Sequence, residues 1–182
     1  GKTGVTNNAT ITSSNGIGMT SAEGTIVNNA VLTAKGGAVS FEGKGDITNN
    51  ALIEANGSVY IISTGGKVTN RAGIIAGKNF ATPAASLFSL RARAMAVDDG
   101  SVVIKGSGSV NNSANISSNG GSVIISGNSG IENTANITAS NDVSMTSSSG
   151  SISNSSDSTV TATGGSVSMN AGGDVTGGTI TG

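Results

Sequence analysis

The chain has 182 residues, the length of one domain, and its formal net charge at pH 7 is −1. Charged residues make up 10% of it and aromatic residues 2%, and it contains neither cysteine nor histidine. This composition excludes a disulfide framework, thiolate or imidazole metal sites and serine–histidine catalysis. The charge gives no electrostatic basis for binding nucleic acid, and no apolar run is long enough to insert into a membrane. We expect no cofactor.

A repeat of 21 residues runs through most of the chain, and residues 47–55 show it best. On alternate positions it carries an aliphatic residue, Asn, Ala, a second aliphatic residue and a second Ala. Alternate side chains share one face of a strand, and identity at a constant period indicates units stacked on one another. The repeat therefore predicts an all-β fold, a right-handed parallel β-helix of about 7–8 coils, each with three short strands.

One Asn recurs at a constant position in the repeat, and it is the most regular feature of the sequence. The Asn occurs at Asn7, Asn28, Asn49, Asn70, Asn112, Asn133 and Asn154, with one doubled interval of 42 residues. These Asn residues have the same parity as the Val, Ile and Ala residues, which we expect to face the interior. A stacked amide can donate to one coil and accept from the next. The seven residues are therefore predicted to form a structural ladder, not a ligand site.

One segment, residues 78–100, does not follow the repeat. Thr82-Pro83 suits a helix start, and apolar residues then follow at helical spacing, which predicts a short helix over 83–97. The domain is thus expected to comprise coils 1–4 in residues 1–77, the extra-helical insertion at 78–100 and further coils in 101–182.

Two interpretations of this insertion remain open. The first is a helix that packs its apolar face on the outside of one sheet, which we favour because exposed apolar faces are uncommon. The second is a binding element, whose candidate partner contacts are Leu87, Phe88, Arg91 and Arg93.

Other candidate sites in the sequence are sparse. Glu42, Lys44 and Asp46 are the nearest approach to a cluster of catalytic charges, and a solvated turn is the favoured interpretation of them. Tyr60 alternates with apolar neighbours and is predicted to point outward. The seventh unit has two extra residues, which predicts a bulge over residues 155–159. We therefore do not expect an enzyme.

The repeat resembles the filamentous haemagglutinin repeats of bacterial two-partner secretion exoproteins. The string [Ile/Val]-x-Asn-x-Ala-x-Ile-x-Ala, as in residues 47–55 and 131–139, carries the resemblance, which covers nearly the whole chain except 78–100. It implies a β-helical shaft segment of a longer chain, exported through a partner outer-membrane transporter and secreted or displayed on a Gram-negative surface.

The resemblance implies a structural and adhesive module that attaches to a receptor or glycan on host or neighbouring cells. A close variant is the stalk of a contact-dependent growth-inhibition toxin protein. A β-helix that binds or degrades polysaccharide, such as a tailspike or lyase, is the alternative of a different class. Exposed end coils would also favour end-to-end self-association.

Overall fold

In the computed structural model the chain is a β-solenoid. The structure describes residues 1–80 and 100–182, and these contain 23 strands and no helix. The strands form three parallel sheets, two of eight strands and one of seven. The prediction of an all-β parallel β-helix is therefore confirmed.

Each sheet takes one strand from every turn of the chain. Sheet A contains β1 (Gly4–Asn7), β4 (Thr25–Asn28), β7 (Ile47–Asn49), β10 (Val68–Asn70), β13 (Val110–Asn112), β16 (Ile131–Asn133), β19 (Ile152–Asn154) and β22 (Val175–Thr176). Sheet B contains β2 (Ile11–Ser13), β5 (Leu32–Ala34), β8 (Ile53–Ala55), β11 (Ile74–Ala76), β14 (Ile116–Ser118), β17 (Ile137–Ala139), β20 (Thr159–Ala162) and β23 (Thr179–Thr181). Sheet C contains β3 (Ile17–Ser21), β6 (Val39–Gly43), β9 (Val59–Ser63), β12 (Val102–Gly106), β15 (Val123–Gly127), β18 (Val143–Ser147) and β21 (Val167–Ala171).

A coil consists of successive strands from sheets A, B and C. Coil 1 is therefore β1–β3, coils 2–7 follow in the same order, and coil 8 contains β22 and β23. Equivalent residues of the repeat pair with each other, as Ile26 does with Ile47 and Ile47 with Val68. This register explains the constant period, because a residue one coil later lies beside its counterpart in the neighbouring strand.

Columns of aliphatic side chains fill the interior. Sheet A contributes one such column, sheet B an aliphatic column and an Ala column, and sheet C two columns that include Phe41 and Met145. Nearly all of these side chains are fully buried, and they form one continuous core along the solenoid. The core therefore belongs to the stack of coils and not to any single coil.

The expectation that every Ala of the repeat faces the interior is wrong for one of the two Ala columns. Ala34 and Ala55, in sheet B, are fully buried. Ala30 and Ala51 are only half-buried, since they lie in the turn between sheets A and B. The backbone is not extended there, so the alternation of side chains between the two faces ends.

The seventh coil accommodates its extra residues at one corner. Asn133 pairs with Asn154, and Ile137 pairs with Val160, so the added residues lie between sheets A and B. The backbone N–H of Ser158 donates to the carbonyl of Ser155 at 3.0 Å, which closes a turn. The extra residues thus form a turn in which Ser156 and Asp157 are exposed, and the strand register on both sides is kept. The turn is narrower than the predicted bulge over 155–159, because Ser158 is buried and Thr159 belongs to β20.

The irregular segment leaves the solenoid at the corner between sheets B and C of coil 4. β11 precedes it and pairs with β8 and β14, while β12 follows it and pairs with β9 and β15. The stack of coils is therefore continuous above and below this corner. The predicted helix over 83–97 lies outside the described residues.

Candidate functional site

The most regular constellation of polar groups is the column of seven Asn side chains inside the solenoid. Each Nδ2 except that of Asn154 donates to the Oδ1 of the Asn in the next coil. The pairs are Asn7–Asn28 at 2.8 Å, Asn28–Asn49 at 2.8 Å, Asn49–Asn70 at 2.9 Å, Asn70–Asn112 at 2.8 Å, Asn112–Asn133 at 2.7 Å and Asn133–Asn154 at 3.2 Å. Asn7 is 9% exposed and Asn154 4%, and the five between them at most 1%.

The position of the Asn at the end of each sheet A strand explains this geometry. The backbone turns towards sheet B directly after Asn49, and its carbonyl accepts from Arg71 N–H at 2.8 Å. A buried amide without partners would cost free energy, but the stacked coils supply a donor and an acceptor to each one. In the described residues, no buried side-chain nitrogen or oxygen lacks a hydrogen-bond partner. The column thus stabilises the stack of coils, and its amide groups form hydrogen bonds mainly with one another.

The column ends at coil 7. The Nδ2 of Asn154 donates to the thioether sulfur of Met169 at 3.4 Å, a weak acceptor. In coil 8, Val175 and Thr176 pair with β19, and Gly177 follows with a φ of 75°. A left-handed glycine therefore stands where the earlier coils have Asn, and the hydrogen-bonded column goes no further in the described coils.

A second, exposed column runs beside the buried one, and the sequence analysis missed it. Asn29 Nδ2 donates to Asn8 Oδ1 at 2.9 Å, and Asn50 Nδ2 donates to Asn29 Oδ1 at 2.8 Å. Arg71 continues the column, because its guanidinium donates to Asn50 Oδ1 at 3.3 Å. The signal was present in the sequence as Asn-Asn pairs at 7–8, 28–29 and 49–50.

The two ends of the irregular segment meet at the solenoid wall. Gly77 and Gly100 have φ values of 67° and 71°, in the left-handed region that favours glycine. A Cβ atom built on Gly100 would lie 2.7 Å from the Cα of Gly77, so their backbones are in contact. The corner is also bonded to its neighbours, since Gly77 N–H donates to Gly57 O at 3.1 Å and Ser118 Oγ to Gly100 O at 2.7 Å.

The first residues of this segment lie against the outside of sheet B. Lys78 forms an ion pair with Glu54 of the preceding coil, and its ammonium lies 5.3 Å from the centre of the Phe80 ring. The Glu54 side chain is 15% exposed, so this contact is partly shielded from water. The candidate partner contacts Leu87, Phe88, Arg91 and Arg93 lie outside the described residues.

Of the charged residues Glu42, Lys44 and Asp46, the structure brings Glu42 and Lys44 to the lining of one open cavity, beside Ser21 and Thr64. Lys44 pairs with Glu23 at 3.3 Å, and both side chains are more than half exposed. The Asp46 carboxylate accepts from the backbone N–H of Lys67 at 3.0 Å, which is a turn contact. Glu42 accepts from Ser40 Oγ at 3.2 Å on the outer face of sheet C. Each group is therefore occupied by a local contact.

No cluster of three or more acidic side chains that could hold a metal ion occurs in residues 1–80 and 100–182. Within the same ranges, no helix is long and apolar enough to cross a membrane. No protein-family model, curated protein or solved structure matches the chain.

Proposed function

We propose that the chain is a shaft and adhesive module of a secreted or surface-displayed bacterial exoprotein. The observation that carries this proposal is the unbroken column from Asn7 to Asn154, which links seven successive coils through buried side-chain hydrogen bonds. Continuous sheets and a continuous core suit a rod that holds its shape, because each coil is supported by the coils on both sides.

The described surface also suits a rod better than an enzyme. Glu42 and Asp46 make separate local contacts, and the cavity that Glu42 shares with Lys44 is open to solvent. A catalytic site needs groups that converge on one reacting atom, and a concave pocket that excludes water. The rod geometry therefore favours the adhesive shaft over a polysaccharide-degrading β-helix.

The proposed module is exported across the outer membrane and is then secreted or displayed on the cell surface. A chain without cysteine can cross an outer-membrane pore unfolded with no disulfide to reduce. The proposed partners are a two-partner-type transporter during export and a receptor or glycan on a host or neighbouring cell afterwards. The proposed location is the surface or surroundings of a Gram-negative bacterium.

A bead-adhesion experiment tests the attachment role. Beads coated with the purified chain should be retained on epithelial and bacterial cell layers, and soluble chain should compete. The matched control is a coating with the variant Asn49→Leu plus Asn112→Leu, which destabilises the rod through its interior without changing an exposed residue. Retention no better than that of bare beads would contradict attachment and leave only the stalk role, in which the module spaces a distant toxin domain.

A further inference from the structure

A cavity lies on the outside of the solenoid, where the chain turns from sheet C to sheet A in coils 1–3. Its volume is about 410 Å³, and it is open to solvent. Small-molecule sites in proteins have volumes of about 300–1,000 Å³, so it is large enough for a small ligand. We call it the coil 1–3 cavity. It is lined chiefly by Ser21, Glu42, Gly43, Lys44, Ile62 and Thr64.

The strand register explains how this cavity arises. Glu42 of β6 pairs with Ile62 of β9, and both side chains point outward. The next residue of each strand is buried, and the residues after those, Lys44 and Thr64, are exposed. Two rows of outward side chains therefore flank a row that faces the interior, and the cavity lies between the two outward rows.

This combination of side chains occurs at one place on sheet C. The outward row that contains Glu42 and Ile62 consists, from coil 1 to coil 7, of Thr20, Glu42, Ile62, Lys105, Ser126, Thr146 and Asn170. Glu42 is the one carboxylate of this row, and Ile62 is its one aliphatic residue. The cavity is thus a local feature of coils 1–3 and not a property of the repeat.

The acceptors in the cavity keep hydrogen-bonding capacity beside their local contacts. Glu42 accepts from Ser40 Oγ through Oε1, and its Oε2 accepts from no described residue. Thr64 Oγ1 donates to the carbonyl of Gly43 at 3.4 Å, and its lone pairs accept from no described residue. Both side chains can therefore accept hydrogen bonds from a ligand.

Lys44 supplies donors to the same cavity. Its ammonium lies 3.3 Å from the carboxylate of Glu23 in the preceding coil, which occupies one of its three N–H groups. Glu42 and Lys44 form no ion pair with each other. They therefore present a carboxylate and an ammonium separately to a bound molecule.

We propose that the coil 1–3 cavity binds a neutral sugar, an inference that rests on the proposed attachment function. Sugar hydroxyls both donate and accept, which suits Glu42, Lys44 and Thr64. The C–H groups of a sugar ring can pack against Ile62, which is half-buried. A cavity of this volume holds roughly one or two sugar rings.

Other ligand classes fit the cavity less well. A phosphate or sulfate group needs an excess of cationic donors, but Lys44 is accompanied by the carboxylates of Glu23 and Glu42. An extended peptide would need a free strand edge, and β6 is already paired with β3 and β9. A lipid would find too little apolar surface, because Ile62 is the one large aliphatic side chain in the lining.

A single cavity of this kind binds weakly. It is open to solvent, and none of its lining residues is an aromatic that could stack on a sugar ring. We therefore expect a dissociation constant on the order of millimolar, with attachment depending on many modules that act together.

Saturation-transfer NMR tests the proposal with the methyl glycosides of galactose, glucose, mannose and N-acetylglucosamine. The chain should transfer saturation to at least one of them, and more strongly than to methyl glucuronide. The variant Glu42→Ala plus Lys44→Ala should bind that glycoside about ten-fold more weakly, because two charged hydrogen-bonding groups are lost. The matched control is Lys35→Ala plus Glu132→Ala, which removes the same charges at exposed positions outside the cavity and should bind as the parent does.

Both variants should keep the circular dichroism spectrum of the parent, since all four changed side chains are exposed. Absence of saturation transfer to all four neutral glycosides would overturn the proposal. Equal binding by the two variants would also overturn it, and so would stronger binding of the glucuronide than of any neutral glycoside.

Bead adhesion distinguishes the failure of this inference from the failure of the proposed function. If beads coated with the parent and with Glu42→Ala plus Lys44→Ala are retained equally on cell layers, attachment uses another surface and the cavity is overturned as its site. If the parent binds a neutral glycoside but its beads are not retained, the cavity is supported as a sugar site and the attachment function is contradicted.

Discussion

The side-chain amide of Asn70 donates to the carbonyl oxygen of Asn112 at 2.8 Å, although 42 residues separate them in sequence. Their bond is as short as those between Asn residues 21 positions apart. An insertion as long as a whole repeat is therefore accommodated without displacing the interior of coil 4 or coil 5. Coils 4 and 5 therefore keep the same pairing as neighbouring coils that no insertion separates.

The first prediction concerns the buried Asn column. Replacing Asn49→Leu removes the acceptor of Asn28 Nδ2 and the donor to Asn70 Oδ1. Each orphaned buried group costs free energy, so we expect destabilisation by about 1–3 kcal/mol in urea unfolding followed by circular dichroism. The matched control is Asn50→Leu in the exposed column, which should change stability by less than about 0.5 kcal/mol. Similar effects for the two variants would contradict the burial of the Asn49 amide.

The second prediction tests which face of sheet C is inside. Ile125 is fully buried, whereas its neighbour Ile124 is 37% exposed. Ile125→Ala should therefore cost about 2–4 kcal/mol of unfolding free energy through lost burial and a residual cavity. Ile124→Ala should cost less than about 1 kcal/mol, since little buried volume is lost. If thermal unfolding showed a larger loss of stability for Ile124→Ala than for Ile125→Ala, the assignment of Ile125 to the inner face would be contradicted.

The third prediction concerns the close approach of two glycines. Gly100→Ala would place a Cβ 2.7 Å from the Cα of Gly77, at a residue with a φ of 71°. The combination of strain and clash should destabilise the protein by about 1–3 kcal/mol. Gly18→Ala is the control, because a Cβ there has no neighbouring atom within 4 Å. The melting temperature should fall for Gly100→Ala and stay near that of the parent for Gly18→Ala.

The fourth prediction is that residues 78–99 can be removed without loss of the solenoid. Joining Gly77 to Gly100 leaves as many residues between Ala76 and Val102 as lie between Ala55 and Val59 in coil 3. Amide exchange should remain slow in β9, β12 and β15 of the deletion variant, because their mutual pairing is kept.

An equally long deletion, of residues 81–102, provides the control. It removes Ser101 and the first residue of β12, and with them the bond from Ser101 N–H to Ser58 Oγ at 3.0 Å. Amide exchange in β12 should then be fast. Retention of slow exchange in both deletions would show that the Gly77–Gly100 contact does not define the boundary of the insertion.

Much of the solenoid follows from the period alone. Ile26, Ile47 and Val68 recur at a constant interval, and a constant interval permits only parallel stacking in register. The interior position of Asn49 followed from its parity with Ile47. The same argument wrongly placed Ala51 in the interior, because side chains alternate between the two faces of a strand only while the backbone is extended.

The contacts between non-equivalent residues could not be derived in this way. The meeting of Gly77 and Gly100 depends on how a corner closes in space, and no period connects these two positions. The adjacency of Tyr60, Val103 and Ile124 on sheet C could be found only from the strand register, because they belong to three different coils. The exposed Asn column could have been predicted from the sequence, since Asn8, Asn29 and Asn50 recur at the same interval as the buried Asn residues.

The buried amides all have the same orientation, with each NH₂ group directed towards the following coil and each carbonyl towards the preceding one. Their dipoles therefore add along the rod axis, and neighbouring bonds polarise one another. At the two ends of the column the amides bond within their own coils, since Asn154 Nδ2 donates to the Met169 sulfur and Asn7 Oδ1 accepts from the backbone N–H of Ala9. Asparagine supplies both groups on a short side chain, whereas aspartate could only accept. The rod thus has a chemical polarity in addition to its chain direction, and one residue type produces it through seven coils.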